Sequence, residues 1–122
     1  MKRRAKTLVE VFGGGEGEVR EPWALFLDDE RDPVDGGEWV VCRGTDEAVT
    51  ETRVRGCPPS VMSLDHDLGG TDTSMAYLRW VTGTYDDWEF TYRVHSQNPV
   101  GRDNIVSLLE SYRRAYGGGG GE

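Results

Sequence analysis

Five consecutive apolar residues, Trp23-Ala24-Leu25-Phe26-Leu27, run directly into the charged segment Asp28-Asp29-Glu30-Arg31-Asp32-Pro33. A strand with apolar side chains at successive positions has no polar face to offer to water, so both of its faces must be covered. The inner strands of a parallel sheet meet that condition, and the abrupt change at Asp28 places two carboxylates at a strand's carboxyl end.

The rest of the chain repeats this arrangement. Glu38-Trp39-Val40-Val41-Cys42, entered through Gly36-Gly37, predicts a second strand. Thr45 is placed to cap a helix that carries Asp46 and Glu47 in its first turn and Ala48, Val49 and Thr52 beyond, before Gly56-Cys57-Pro58-Pro59 ends it. Ser60 to Leu64 predicts a third strand. It is followed by the loop Asp65-His66-Asp67-Leu68-Gly69-Gly70 and a helix capped by Thr71 or Asp72 and closed by Gly83. Met75, Leu78 and Val81 share one face of that helix, widened by Ala76, Tyr77 and Trp80. Glu89 to Val94 predicts a fourth strand that runs into His95. Gly101-Arg102-Asp103 opens a last helix with Ile105, Leu108, Leu109 and Tyr112 at core spacing. Strands alternating with helices imply a mostly parallel sheet of about four strands, with ligands bound outside the strands' carboxyl ends.

At 122 residues the chain has room for one such core. The organisation expected is an N-terminal extension over 1–22, a domain over 23–116 and a flexible glycine tail over 117–122. In the extension, Thr7 to Phe12 can form a strand turned back by Gly13-Gly14-Gly15 towards Glu18-Val19-Arg20; a partly ordered extension fits equally. No apolar run reaches membrane-spanning length, and the basic start Met1-Lys2-Arg3-Arg4 lacks the apolar stretch of a secretory signal. Two cysteines, Cys42 and Cys57, are too few for a disulfide framework and point to reduced thiols in a cytoplasmic protein.

Fourteen basic against 22 acidic residues give a net charge of −8, the wrong sign for an extended nucleic-acid-binding surface. A phosphorylated ligand remains compatible, because a divalent cation held by carboxylates reverses the local sign.

Three strand ends carry the chemistry. Asp28 and Asp29 repel each other unless a cation lies between them, and an all-oxygen site of this kind suits Mg²⁺; a solvated acidic turn paired with Arg31 is the plain alternative. Asp65 ends the third strand, where it can join Asp28 and Asp29 as a metal ligand or attack phosphorus. Asp67 can add a ligand or orient His66. An apolar strand followed by Asp-x-Asp is also a pattern of haloacid dehalogenase-type phosphatases, but those need a downstream lysine and this chain has none beyond Lys6. At the fourth strand end, Ser96 and Asn98 can donate to phosphate oxygens, Arg102 can add charge and His95 can carry a proton. The chain's two histidines, His66 and His95, both fall in these motifs. Two imidazoles flanking a phosphate can divide the work of opening a cyclic phosphodiester, one activating water and the other protonating the leaving oxygen.

Taken together, Leu25-Phe26-Leu27-Asp28-Asp29-Glu30-Arg31-Asp32-Pro33, Ser63-Leu64-Asp65-His66-Asp67-Leu68-Gly69 and Val94-His95-Ser96-Gln97-Asn98-Pro99-Val100-Gly101 resemble the cyclic-phosphate processing receiver domains, over about residues 23–116. The resemblance implies a receiver-like, flavodoxin-like α/β fold with helices on both faces of the sheet. It also implies processing of a 2′,3′-cyclic phosphate end or a cyclic nucleotide, in settings such as RNA repair or phages. Against ordinary response-regulator receivers, Asp28 and Asp29 look like the metal-binding pair, Asp65 like the phosphoacceptor and Ser96 like the switch hydroxyl. The lysine of a fifth strand is missing, while His66, Asp67 and His95 are added.

The function expected is therefore a metal-dependent phosphoesterase. Asp28, Asp29 and Asp65 hold Mg²⁺, His66, His95, Asp65 and Asp67 do the chemistry, and Ser96, Asn98 and Arg102 bind phosphate. Its partner would be a small nucleotide or an RNA end bearing a cyclic phosphate. A module that senses or sequesters such a ligand without chemistry is the alternative, and a phosphoacceptor receiver a third.

Overall fold

The computed structural model of the chain describes residues 3–4 and 21–116. The possible hairpin around Thr7 to Arg20 and the glycine tail lie outside those residues. In chain order the elements are β1 (Arg3–Arg4), β2 (Ala24–Leu27), β3 (Trp39–Cys42), α1 (Thr45–Arg55), β4 (Val61–Leu64), α2 (Ser74–Thr84), β5 (Tyr85–Asp86), β6 (Thr91–Val94) and α3 (Pro99–Tyr116). Four strands form a fully parallel sheet in the order β3-β2-β4-β6, and β1 pairs in parallel with β5 as a separate two-stranded sheet. This is the α/β, flavodoxin-like architecture expected.

The helices depart from expectation in their placement. The connections β3→β4 and β4→β6 step the same way along the sheet, so right-handed crossovers put α1 and α2 on one face. There α1 packs on α2 and α2 on α3, with the Thr52 hydroxyl 2.8 Å from the Tyr77 hydroxyl. The step β2→β3 runs the opposite way, and its connection, residues 28–38, contains no helix. Among the described residues all three helices therefore form one layer, and the other face of the sheet carries only this loop. Strand alternation sorts the side chains accordingly. Leu25, Leu27, Met62 and Leu64 are wholly buried against Ala48, Tyr77, Leu78, Val81, Ile105 and Leu109. Phe26 and Ser63 point to the helix-free side, and Phe26 is buried there by other rings rather than by a helix. Each fully buried Leu or Ile in this layer contributes about 1.5–3 kcal/mol.

The helix boundaries also shift. Gly44, not Thr45, is the N-cap of α1, and no side chain of its own caps it. The cap comes from across the fold: Asp72 accepts the Thr45 backbone N–H at 3.0 Å and the Thr45 hydroxyl at 2.7 Å. The following helix, expected to be capped by Thr71 or Asp72, has Thr73 as its N-cap instead, and Gly83 lies inside that helix rather than closing it. Because an N-cap carboxylate is worth about 1 kcal/mol, Asp72→Ala should lower the melting temperature by several degrees, read by thermal circular dichroism. An unchanged Tm would show that water replaces this cap without cost.

Helix α3 begins at Pro99, two residues before the start expected at Gly101. Asn98 precedes it and accepts the Gly101 N–H on Oδ1 at 3.0 Å. A capping amide followed by proline in the first helical position explains the earlier start, since proline has no N–H to leave unsatisfied.

Candidate active site

The parallel ladder continues one residue beyond the strands. Asp28 N–H reaches Cys42 O at 3.1 Å, Asp65 N–H reaches Leu27 O at 2.9 Å, and His95 N–H reaches Leu64 O at 2.9 Å. Asp28, Asp65 and His95 thus end β2, β4 and β6 in one row. By the two-residue period they continue the series of Phe26, Ser63 and Arg93 on the helix-free side. The connections leave β2 and β4 in opposite directions, so a crevice opens between Asp28 and Asp65.

Asp28, Asp29 and Asp65 converge in that crevice: one carboxylate oxygen from each lies within 4.8 Å of the other two. Asp28 is 1% exposed and Asp65 9%. Asp28 Oδ1 accepts the backbone N–H groups of Glu30 at 2.9 Å and Arg31 at 2.8 Å, and its Oδ2 lies 2.9 Å from His95 Nε2. Burial pushes the Asp28 carboxyl up, but those two backbone donors and His95 outweigh it and hold the group below its ordinary value. Asp65 goes the other way. Burial and then the Asp28 charge raise it, and His95, the His66 backbone N–H and the Ser96 hydroxyl offset this only in part. The Gly69 backbone, at φ 91°, passes so close that a Cβ there would sit 3.3 Å from Asp29 Oδ2. Three carboxylates without a thiol suit a hard divalent cation such as Mg²⁺, and the unrelieved repulsion at Asp65 is what such an ion would remove.

The two histidines sit in different settings. His95 has both ring nitrogens engaged, Nδ1 with Ser63 Oγ at 2.9 Å and Nε2 with Asp28 Oδ2 at 2.9 Å. The Asp28 carboxylate only accepts, so the Nε2 proton is directed at it. Arg93 Nε donates to the same Ser63 oxygen at 3.1 Å, leaving the Ser63 hydroxyl proton for a neutral His95 at Nδ1. His66 lies on the first turn of α3, and its ring occupies the space that a side chain on Gly101 would need. Its Nδ1 is 2.9 Å from Asp67 Oδ1, and Asn98 Nδ2 donates to Asp67 Oδ2 at 3.3 Å. Hydrogen bonds from His66 and Asn98 keep the exposed Asp67 carboxyl below its ordinary value. Asp67 therefore orients His66, one of the two roles its spacing suggested.

Ser96 joins the carboxylate cluster through Asp65 and accepts the Asn98 N–H at 3.1 Å. Asn98 is spent on Asp67 and the α3 cap. Arg102 lines a separate cleft between β6 and α3, with Arg93, Glu110 and Arg113. Ser63, Arg93, Phe26 and Gly101 also shape the site, although the expectation from sequence assigned them no site role. The available signals were a lone polar residue inside an apolar strand, an arginine two positions before His95 and a glycine in the first turn of a helix.

A family model for the cyclic-phosphate processing receiver domain matches residues 23–111, most of the chain and all three strand-end motifs. The chain belongs to that family. No match was found among curated proteins or among solved structures. In this receiver domain the acidic pair, the third aspartate and the serine meet at the crevice, while His95 and His66 split between Asp28 and α3. Among the described residues, no helix is long and apolar enough to cross a membrane.

Proposed function

We propose that this receiver domain hydrolyses a cyclic phosphodiester on a nucleotide, either a free 2′,3′-cyclic nucleotide or the same group at an RNA end. The observation that carries the proposal is the convergence of Asp28, Asp29 and Asp65 within 4.8 Å at the strand ends. These three would hold Mg²⁺, which supplies charge neutralisation at the phosphate. The Ser96 hydroxyl, which donates to Asp65 in the ligand-free site, would turn to a phosphate oxygen once a cation engages that carboxylate. His66, oriented by Asp67, accepts a proton from the attacking water at Nε2 as the new P–O bond forms. The P–O bond to one ribose oxygen breaks, that oxygen takes a proton from solvent, and His66 returns its own proton to solvent. His95 is better suited to hold Asp28 in place than to carry protons, since both its nitrogens are committed. Arg102 has no part in this scheme. The buried Cys42 and Cys57 suit a reducing, cytoplasmic setting.

The test is ³¹P NMR of the purified chain with each 2′,3′-cyclic nucleotide and Mg²⁺. The expected result is conversion to a monoester that EDTA abolishes. Absence of turnover by folded protein, across the four bases and several divalent metals, overturns the proposal.

A second reading, binding without chemistry, draws on the engagement of His95, which leaves one histidine where two would divide the work. Tight stoichiometric binding with the ligand recovered intact would favour it. Phosphoacceptor signalling through Asp65 ranks below both, because residues 21–116 contain no lysine.

A further inference from the structure

The sheet face that bears no helix holds a cavity of about 340 Å³ directly below the carboxylate row. Phe26, Ser63 and Arg93, hydrogen-bonded neighbours in register on β2, β4 and β6, form its floor together with His95. Ser63 is the small residue of that row, and over it the rings of Phe26 and His95 stack with centroids 4.9 Å apart and planes 13° from parallel. The loop after β2 closes the sides with Arg31 and with Val34, which is 98% exposed. The surface it exposes is mostly apolar, from Phe26, Val34 and side-chain stems, and Arg31, Arg93, Asp32 and Asp35 stand around it, with Arg93 paired to Asp35. A volume of this size lies at the lower end of small-molecule pockets. An aromatic floor with flat arginine cations beside it is the chemistry that holds nucleic-acid bases.

The cavity also adjoins the reacting centre. The Phe26–Ser63–Arg93 row lies two residues, about 7 Å at the rise of a parallel strand, below the Asp28–Asp65–His95 row on the same side. One sugar ring spans such a gap. A hydrogen-bonded chain joins the two levels: Arg93 Nη2 to Asp35 at 3.2 Å, Arg93 Nε to Ser63 at 3.1 Å, Ser63 to His95 at 2.9 Å and His95 to Asp28 at 2.9 Å.

We propose that this cavity is the base-binding half of the site: it takes the nucleobase of a nucleotide whose phosphate lies at Asp28, Asp65 and Ser96. The inference rests on the phosphodiester reading for the phosphate half, but the base half is testable without it. Nucleosides, which carry no phosphate, should bind the metal-free protein saturably. They should shift the NMR signals of Phe26, His95 and the neighbouring Trp39 indole.

Val34→Trp places a bulky ring at the cavity's rim from an exposed position outside the core, and should weaken nucleoside binding at least tenfold by crowding the entrance. Arg102→Ala, in the separate cleft between β6 and α3, should leave it unchanged. For turnover, Val34→Trp should raise KM for a 2′,3′-cyclic nucleotide with little change in kcat. The same shift for a short RNA ending in that group would show that mononucleotide and RNA end use one pocket; an unchanged KM for the RNA would limit the pocket to the free nucleotide.

The proposal is overturned if no nucleoside perturbs these signals at millimolar concentration. It is also overturned if a base-free ribose cyclic phosphate is hydrolysed as efficiently as the nucleotides; in that case the phosphodiester reading survives. Nucleoside binding at these residues without turnover of any cyclic phosphate has the opposite meaning: the pocket stands and the hydrolytic reading falls.

Discussion

Asp65→Asn is expected to lower turnover of a 2′,3′-cyclic nucleotide by about 10²–10³-fold or more while making the metal-free protein more stable. Both effects have one cause. The carboxylate is buried, close to Asp28, and raised by desolvation and then by that neighbouring charge. A carboxyl whose folded pKa lies above its unfolded value costs stability wherever it is ionised in the fold. The gain in Asp65→Asn should therefore be full at neutral pH. It should shrink as the pH falls from the raised folded pKa towards the ordinary carboxylate value, where Asp65 is protonated in both states. Asp28 has the opposite sign: its depressed carboxyl stabilises the fold above the ordinary carboxylate value, and that contribution is lost as the pH falls through the depressed folded value. Thermal melts of wild type and variant at several pH values, with EDTA present, measure the balance. A rise of a few degrees in Tm at neutral pH is expected, and adding Mg²⁺ should narrow or reverse it by stabilising the wild type selectively. A variant less stable than wild type at neutral pH without metal would show that repulsion with Asp28 does not dominate at this position.

The second large effect is expected at Gly101. A methyl group there would overlap the His66 ring, closest at Cγ and 2.6 Å from Nδ1 and 2.7 Å from Cδ2, distances no packing tolerates. Alanine gains up to about 1 kcal/mol over glycine in a helix. Overpacking costs about 1–3 kcal/mol, so the net effect of Gly101→Ala is destabilising. If the imidazole yields by swinging away from Asp67, the loss of an oriented general base costs about 10²–10⁴-fold in rate. Removing the ring in the double variant His66→Ala/Gly101→Ala should restore stability without restoring activity. That non-additivity is the signature of direct contact. Simple additivity of the two stability changes would mean that the backbone of α3 yields instead of the ring.

Much of this site was legible in the chain because its chemistry is local. The apolar runs ending at Asp28 and Asp65 mark strand ends, and a parallel sheet brings strand ends to one edge whatever the details of packing. His66 and Asp67 are neighbours, so the chain already offered their pairing as one of two roles for Asp67. Helix starts were less legible. Asp72 caps α1 from 27 residues away in sequence, and a cap supplied across the fold leaves no mark on the helix it completes. Arg102 was placed with the phosphate by its distance along the chain from His95. It faces a different cleft because α3, starting at Pro99, turns that residue away from the crevice.

The sequence by itself determined the parallel α/β order and the three aspartates at strand ends, and narrowed Asp67 to a metal ligand or the partner of His66. Each follows from hydrophobic period or from adjacency along the chain. Only the tertiary structure decided which way each connection crosses. Handedness and strand order send α1 and α2 to one side and leave the loop after Asp28 alone on the other. That choice leaves Phe26, Ser63 and Arg93 without a helix above them. It also lets His95 lean back over Ser63 to Asp28, a contact between residues 67 positions apart that no local pattern encodes.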